Sequence, residues 1–325
     1  MSREHWRAWQ QRGSAPPQGQ GRHEGWREDW REDWREGPPT GEPPDGAGPD
    51  AEQLLLRMRE LIGQGLHGLC FSPYEPGQGP GTPVPEQSVE RRLRMIAPYT
   101  RWIRSFSCVD GHEATPRLAR RAGLNTLVGA WLGNDRDINR RELDAAIALA
   151  REGVADIVAV GNEVLLRGDL EEAELLECID RVKRSVPGVP VGYVDAYFLF
   201  EKHPRVARAC DVLMANCYPF WEGCPLEHAV GYMQDMYRRT CAAAEGRPVV
   251  VAETGWPDRG VAVGAAQPSV VNAMRYFVEA QDWARRDAVA MFHFSAFDEA
   301  WKVDAEGDVG ACWGLWDQHG QPKYL

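Results

Sequence analysis

Short apolar runs alternate with amphipathic segments along most of the chain, and the alternation repeats eight times. The apolar runs cover residues 66–74, 102–108, 125–132, 156–164, 190–197, 210–219, 248–256 and 289–297. Helical periodicity is clearest over residues 86–97, 140–152, 171–185, 226–244 and 269–285. Strands that are apolar on both faces and separated by helices indicate a parallel sheet covered by helices. Eight such units in about 275 residues predict a (β/α)8 barrel, also called a TIM barrel.

An open, doubly wound sheet is the alternative architecture, but it usually has fewer strands and a glycine-rich first turn. Here the first turn, residues 72–77, reads SPYEPG and lacks the G-x-G-x-x-G pattern. No clear helix follows the last apolar run. We therefore expect the amphipathic segment 51–62 to cover the gap that a missing eighth helix would leave.

The first 50 residues differ in composition from the rest of the chain. They are rich in Gly, Pro, Arg and Glu, and residues 26–36 form the repeat WREDWREDWRE. Such a segment buries too little apolar surface to offset its ordering entropy, so we predict a disordered tail. Trp26, Trp30 and Trp34 would share one helix face, which makes a docking stripe the alternative interpretation. Residues 51–325 are predicted to form a single domain.

Charge and cysteine spacing exclude several classes of protein. The formal net charge of −11 argues against nucleic acid as a partner, because phosphate binding needs clustered Lys and Arg. No run approaches the roughly 18–20 apolar residues of a membrane helix, and residues 1–20 lack the apolar core of a signal peptide. We expect a cytoplasmic protein with no membrane partner; a missed leader would allow export. The eight cysteines include no C-x-x-C pair and are expected to be buried free thiols.

Two glutamates stand at positions where a barrel of this kind places its active site, the carboxyl ends of the strands. Glu163 ends the fourth apolar run and Glu253 lies near the end of the seventh. A carboxylate there is costly to bury unless it is paired or hydrogen-bonded. Paired carboxylates are what glycosidic bond cleavage requires, one as the acid and one as the nucleophile or base. Glu163 is predicted to have a raised pKa and act as the acid, with Glu253 ionised.

Other interpretations of these positions remain open. Either glutamate alone could be a helix-capping neighbour or a salt-bridge partner. The barrel could bind a carbohydrate without cleaving it, although that interpretation would be favoured only if a glutamate were absent. A metal-dependent hydrolase would have to use His67 and His293, which no His-x-His or carboxylate cluster accompanies, so core histidines are expected and no metal or cofactor is predicted. The bulky residues 254–257 disfavour a phosphate site.

The local sequences around both glutamates resemble glycoside hydrolase family 17, the β-1,3-glucanase family. The strings VGNE at 160–163 and VAETGWP at 251–257 carry the resemblance. Shorter strings agree with it in order and spacing: IR at 103–104, LGND at 132–135, NCYPF at 216–220, FDEAWK at 297–302 and WGL at 313–315. The resemblance covers roughly residues 66–324 and implies a compact, bacterial-type member whose catalytic domain is residues 51–325.

The resemblance implies roles for individual residues. Glu163 would be the acid/base and Glu253 the nucleophile of a retaining enzyme, which needs carboxyl groups about 5–5.5 Å apart. Asn162 would hydrogen-bond the sugar 2-hydroxyl, and Tyr218 would support Glu253. The other residues implied to bind a β-glucan or gluco-oligosaccharide are Arg104, Asn134, Glu299 and Lys302. Trp131, Trp221, Trp256 and Trp301 are candidates for stacking on sugar faces, with Trp256 and Trp301 preferred.

Two features depart from the plant members of the family. Ser105, Phe106 and Ser107 stand where those members have Leu-Tyr-Asp, so a hydroxyl near the donor sugar is missing. The loops after several strands are short, which is typical of a shallow cleft with few subsites. Hydrolysis and glucanosyl transfer would use the same two glutamates, and the sequence leaves that choice open, together with linkage preference, endo or exo action and oligomeric state.

Overall fold

The computed structural model describes residues 51–325, so the predicted tail and its tryptophan repeat lie outside the described residues. Eight parallel strands form a closed barrel in the order of the chain. Their bounds are β1 Leu66–Cys70, β2 Thr100–Arg104, β3 Asn125–Ala130, β4 Ile157–Asn162, β5 Val191–Ala196, β6 Val212–Asn216, β7 Val249–Thr254 and β8 Met291–His293. The barrel closes where β1 pairs with β8, at Gly68 beside Phe292 and Leu69 beside His293. The predicted (β/α)8 barrel is confirmed.

Helices surround the barrel. Their bounds are α1 Ala51–Gly63, α2 Glu86–Ile96, α3 Ala114–Arg121, α4 Arg136–Arg151, α5 Val164–Arg167, α6 Glu172–Ser185, α7 Tyr197–Lys202, α8 Pro204–Ala209, α9 Leu226–Ala244, α10 Val270–Arg286 and α11 Val303–Glu306. Short 3-10 turns lie at Ala97–Tyr99, Ala300–Lys302 and Asp308–Ala311. The five helices with the clearest periodicity are present within a few residues of their predicted bounds. Sequence periodicity did not predict α3 or the helices of only one or two turns.

Local sequence explains where several helices begin. Asp135 accepts hydrogen bonds from the backbone N–H groups of Asp137 and Ile138 and so caps α4, while Ser269 caps α10 through the N–H of Asn272. At α6, Glu171 and Glu174 form a reciprocal capping box. Each cap satisfies backbone donors that the first turn of a helix leaves without intrahelical partners.

Helix α1 occupies the place that the sequence assigned to it. Leu61 and Ile62 are fully buried, and the Arg57 guanidinium lies 2.5 Å from the Asp282 carboxylate of α10. Arg285 of α10 also donates to the Leu61 carbonyl at 2.7 Å. Only 3-10 turns and the four-residue α11 follow β8 within the described residues. The amphipathic segment before β1 therefore packs against α10 and covers the barrel wall that no long helix follows.

The barrel interior and the barrel–helix interface form the core. Strand residues such as Leu69, Val160 and Val251 have no exposed surface, and Gly192 has no room for a side chain, because a Cβ there would lie 2.1 Å from the Val212 carbonyl oxygen. All eight cysteines are free thiols, and six of them are buried, as predicted. No helix in residues 51–325 is long and apolar enough to cross a membrane.

Candidate active site

Polar side chains from four strands meet at the carboxyl end of the barrel. Arg104 is the last residue of β2, Asn162 ends β4 with Glu163 directly after it, Asn216 ends β6, and Glu253 precedes the last residue of β7. Hydrogen bonds join these side chains into one group. The two glutamates that the sequence selected therefore belong to the same cluster.

Glu253 is buried and receives one donor on each carboxylate oxygen. The Arg104 Nη1 atom donates to Oε1 at 2.6 Å, and the Tyr218 hydroxyl donates to Oε2 at 2.6 Å. Burial would lower the pKa of Arg104, but the Glu253 charge and the neighbouring Cys70 together outweigh it and hold that pKa above its usual value. Burial and the same charge raise the pKa of Tyr218 well above its usual value, so its hydroxyl keeps the proton it donates. Charge-assisted bonds of this kind orient the carboxylate strongly.

Glu163 lies on a tight turn between β4 and α5. Its φ of 51° is left-handed, and its N–H donates to the Val194 carbonyl of β5 at 2.8 Å. The preceding Gly161 has a φ of 86°, a conformation that glycine adopts at no steric cost. Together these residues end the strand abruptly and turn the half-buried Glu163 side chain toward the cluster, where Asn216 Nδ2 donates to its Oε1 at 2.9 Å.

The electrostatics of Glu163 match those of an acid. Burial, followed by the charge of Glu253, raises the pKa of Glu163 above its usual value, as the sequence predicted. Arg104 links Glu253 to Asn162, the residue before Glu163, because its Nη2 donates to Asn162 Oδ1 at 2.7 Å while its Nη1 donates to Glu253. With Oδ1 held by Arg104, the amide NH2 group of Asn162 points away from the guanidinium. The geometry thus supplies one carboxyl that favours its proton and one that is held by two donors.

A second wall of the site comes from the segment after β8. Lys302 Nζ lies 2.8 Å from Glu299 Oε2 and 4.1 Å from the centre of the Phe294 ring. Burial would lower the pKa of Lys302, but Glu299 and then Glu306 outweigh it and raise that pKa. Burial raises the pKa of Glu306 to about 7. Glu299 and Lys302 therefore form a buried ion pair whose charges reach Glu253.

The four candidate stacking tryptophans differ in what they expose. Trp256 is only 3% exposed, its Nε1 donates to the Gln267 carbonyl at 2.9 Å, and its ring packs on Phe220 and Tyr276. The prediction that the Trp256 ring stacks on a sugar is therefore wrong, because the turn after β7 directs the ring into the barrel–helix interface. Trp301 and Trp221 keep partly exposed rings, and Trp131 is buried.

Asn134 does not join the hydrogen-bonded group. Its side chain is exposed on the loop after β3, and the following Asp135 serves as the α4 cap. The two histidines that the sequence predicts to be core residues pack against aromatic rings: His293 contacts Phe277, and His67 stacks on Trp102. Burial lowers the pKa of His293 to about 3 and that of His67 to about 4. In residues 51–325 no group of three or more His, Cys, Asp or Glu side chains could hold a metal ion.

Sequence reasoning missed several residues that build the site. Asn216 contacts Glu163, although the sequence analysis used it only as part of the NCYPF string. It could have been predicted as a site residue, because it ends a strand at the same face of the barrel as Glu163. Phe294 lies under Lys302, and Phe106 lies 4.3 Å below the Arg104 guanidinium. Phe106 occupies the position of the tyrosine in plant members of family 17. It therefore places a ring face against Arg104 and lacks the tyrosine hydroxyl.

A (β/α)8 barrel with a proton-holding glutamate after β4 and a doubly hydrogen-bonded glutamate on β7 has the parts of a glycoside hydrolase. Comparison with known proteins agrees with this class. The family model described as the BtgE/BtgC glycoside hydrolase domain matches residues 68–314. The chain therefore belongs to the BtgE/BtgC glycoside hydrolase family, and its resemblance to glycoside hydrolase family 17 is confirmed.

Similar proteins carry related names. A glucan 1,3-beta-glucosidase of Schizosaccharomyces pombe is 31% identical over 235 residues, which cover 66% of this chain and 72% of that protein. One from Arthroderma benhamiae is 28% identical over 243 residues, covering 68% and 78%. The crystal structure of a glycoside hydrolase family 17 beta-1,3-glucanosyltransferase from Rhizomucor miehei superposes with a TM-score of 0.72 at 26% identity, covering 80% of this chain and 96% of that one. An active-site mutant of the same enzyme was solved with laminaritriose. These relatives are fungal, and the bacterial-type description stays a prediction.

Proposed function

We propose that this protein is a retaining glycoside hydrolase that cleaves β-1,3-linked glucan or gluco-oligosaccharides through a covalent glucosyl-enzyme. The observation that carries the proposal is the pairing of Glu253, held by Arg104 and Tyr218, with Glu163, held by Asn216. The substrate class follows from the glucan 1,3-beta-glucosidases and the laminaritriose-binding enzyme that the chain resembles.

In the first step a Glu253 oxygen attacks the anomeric carbon while Glu163 gives its proton to the departing glycosidic oxygen. One carbon–oxygen bond forms as another breaks, and Glu163 becomes a carboxylate. In the second step Glu163 accepts a proton from water, the water oxygen attacks the anomeric carbon, and the bond to Glu253 breaks. Arg104 and Tyr218 hold the nucleophile between steps, and the Asn162 amide donates to the sugar 2-hydroxyl, a role that the family resemblance implies.

The pH dependence of the first step follows from Glu163. Its pKa is raised by burial and by Glu253, so the protonated acid persists to higher pH than an exposed glutamate would. Activity is expected to fall as the pH rises through that pKa, because the acid then loses its proton before the leaving group needs it. The basic limb of the pH profile therefore belongs to Glu163.

Transfer to a sugar is the second candidate function. An acceptor hydroxyl could replace water in the second step with no change in the two glutamates. The 26% identity to the Rhizomucor miehei glucanosyltransferase over 80% of this chain favours it. Hydrolysis and transfer then differ only in whether water or a sugar hydroxyl enters the site after the first product leaves.

Chromatography of the products from laminarioligosaccharides tests the proposal. Wild type, Glu253→Ala and Glu163→Ala are compared with Glu279→Ala, whose exposed carboxylate pairs with Arg275 on the outer face of α10. Shorter products alone would indicate hydrolysis, and products longer than the starting sugar would indicate transfer. The proposal fails if wild type forms no product, as a purely glucan-binding barrel would, or if Glu253→Ala keeps full activity. The cytoplasmic location remains a proposal, with export as its alternative. Cell fractionation would distinguish the two.

A further inference from the structure

The turn that presents Glu163 has an unusual backbone for its sequence. Glu163 is not glycine, yet its φ and ψ are 51° and 31°, a left-handed conformation that L-residues adopt rarely. The four-residue helix α5 follows at once and is too short to fix the turn by itself. Contacts from elsewhere must hold the backbone in this state.

Arg167, the last residue of α5, supplies those contacts. Its Nη1 donates to the Asn162 carbonyl oxygen, its Nη2 donates to the Leu132 carbonyl oxygen at 2.9 Å, and its Nε lies 2.6 Å from the Asp169 carboxylate. Its own backbone N–H donates to the Glu163 carbonyl oxygen at 2.9 Å. The guanidinium thus ties the Asn162 carbonyl, directly before Glu163, to the loop after β3, and the backbone of the same residue binds the Glu163 carbonyl.

The guanidinium is enclosed as well as hydrogen-bonded. The Arg167 side chain is 4% exposed, and its guanidinium carbon lies 4.7 Å from the centre of the Trp131 ring. The Asp169 side chain, 9% exposed, faces it, and the Asp169 N–H donates to the Val164 carbonyl at 2.9 Å. A planar group between an aromatic face, a carboxylate and two carbonyls has little freedom to rotate.

We propose that Arg167 is the positioning residue for the acid/base Glu163, acting through the Asn162 carbonyl that precedes it, which the guanidinium ties to the Leu132 carbonyl of the loop after β3. The inference rests on the proposed catalytic role of Glu163. A buried ion pair is weak support for a purely stabilising role, because apolar residues of similar volume often replace such pairs without loss. The guanidinium instead binds two carbonyls and a carboxylate at once, which fixes the direction of the backbone at Glu163. Lysine could not make all of these contacts, because its ammonium is a compact point charge without the planar fork of donors.

The charge of Arg167 adds a second, measurable effect. Arg167 favours the ionised form of Glu163, opposing the burial that raises the pKa of this carboxyl. Removing the guanidinium should therefore raise the pKa of Glu163 further and move the basic limb of the pH profile to higher pH. A residue that merely stabilised the fold would leave that limb unchanged.

The experiment uses two substrates that differ in their need for an acid. Laminaritetraose requires Glu163 to protonate its leaving oxygen, whereas a 2,4-dinitrophenyl β-laminaribioside has a leaving group that departs without a proton. The variants are Arg167→Met, Arg167→Lys and Asp169→Asn, with Arg151→Met as a control whose exposed guanidinium also binds a carbonyl, that of Ser185, outside the barrel. Glu163→Gln removes the acid itself, so it gives the largest difference in activity expected between the two substrates.

We expect Arg167→Met to lose roughly 100-fold in kcat/KM, which reports the first step, on laminaritetraose, within the usual range for general acid catalysis, and about 3-fold or less in kcat/KM on the aryl substrate. Arg167→Lys should show the same selectivity, Asp169→Asn a weaker version of it, and Arg151→Met neither. Equal losses on both substrates, or an unmoved basic limb, would overturn the positioning role. If Arg167→Met does not fold, Arg167→Lys decides by the same ratio. If wild type cleaves neither substrate, or Glu163→Gln shows no selectivity, the proposed function fails instead.

Discussion

Replacing Tyr218 with phenylalanine removes one hydroxyl from the group that holds Glu253. The hydroxyl donates to Oε2 at 2.6 Å, while the ring packs edge-on against Phe294 and Trp313 at centroid distances of 5.9 and 5.5 Å. Those ring contacts survive in Tyr218→Phe, so the change isolates the hydrogen bond. A hydrogen bond to a charged group contributes about 1.5–3 kcal/mol. At about 1.36 kcal/mol per factor of ten, kcat/KM should fall about 10- to 150-fold.

The assay is the initial rate of reducing-end release from laminarioligosaccharides, with unfolding followed in parallel. Tyr276→Phe is the matched control, because its buried hydroxyl bonds Thr254 Oγ1 at 2.6 Å on the far side of β7. That variant should lose stability of about 1 kcal/mol and change kcat/KM by less than about 3-fold. If Tyr218→Phe kept wild-type kcat/KM, or if both variants lost activity equally, the idea that this hydroxyl orients the nucleophile would be wrong.

Two further predictions concern stability. Lys323 Nζ lies 2.6 Å from Asp258 and 2.9 Å from Asp298, all three nearly buried, so Lys323→Met should lower the free energy of unfolding by roughly 3 kcal/mol in urea titrations; a change below about 0.5 kcal/mol would contradict this. Burial raises the pKa of Glu142 from 4.5 to about 7, so the folded state binds its proton more tightly than the unfolded state does. The wild type should therefore lose stability relative to Glu142→Gln as the pH rises from about 4.5 to 7, by roughly 2 kcal/mol. Parallel stability curves for the two proteins over this range would refute it.

The barrel could be predicted because its signal is local and repeats. Each strand is a short apolar run and each long helix an amphipathic one, so the number and order of the elements follow from periodicity. The ends of the apolar runs then locate the site, since a barrel gathers them at one face. Glu163 and Glu253 are found in this way, and Asn216 could have been.

Other parts of the site depend on contacts between residues far apart in the chain. Trp256 follows β7 directly, and nothing in its neighbours says whether the ring faces the cleft or, as the structure has it, Phe220 and Tyr276. Arg167 binds a carbonyl 35 residues earlier in the chain. Lys323 joins two aspartates from the segments after β7 and β8. Neither periodicity nor a motif says which distant residue such a side chain contacts, so only the folded chain assigns its partners.

The most direct test of the proposed mechanism is to trap the covalent glycosyl-enzyme. In a 2-deoxy-2-fluoro-β-laminaribioside the fluorine slows both steps, because it destabilises positive charge at the anomeric carbon and removes the 2-hydroxyl contact. A dinitrophenyl leaving group keeps the first step fast, so the glycosyl-enzyme accumulates. Intact-protein and peptide mass spectrometry would then locate the attached sugar. We expect one fluorinated laminaribiosyl unit on Glu253 and none in Glu253→Ala. A label on another residue, or turnover of laminarioligosaccharides to products of inverted anomeric configuration without any label, would contradict Glu253 as the nucleophile.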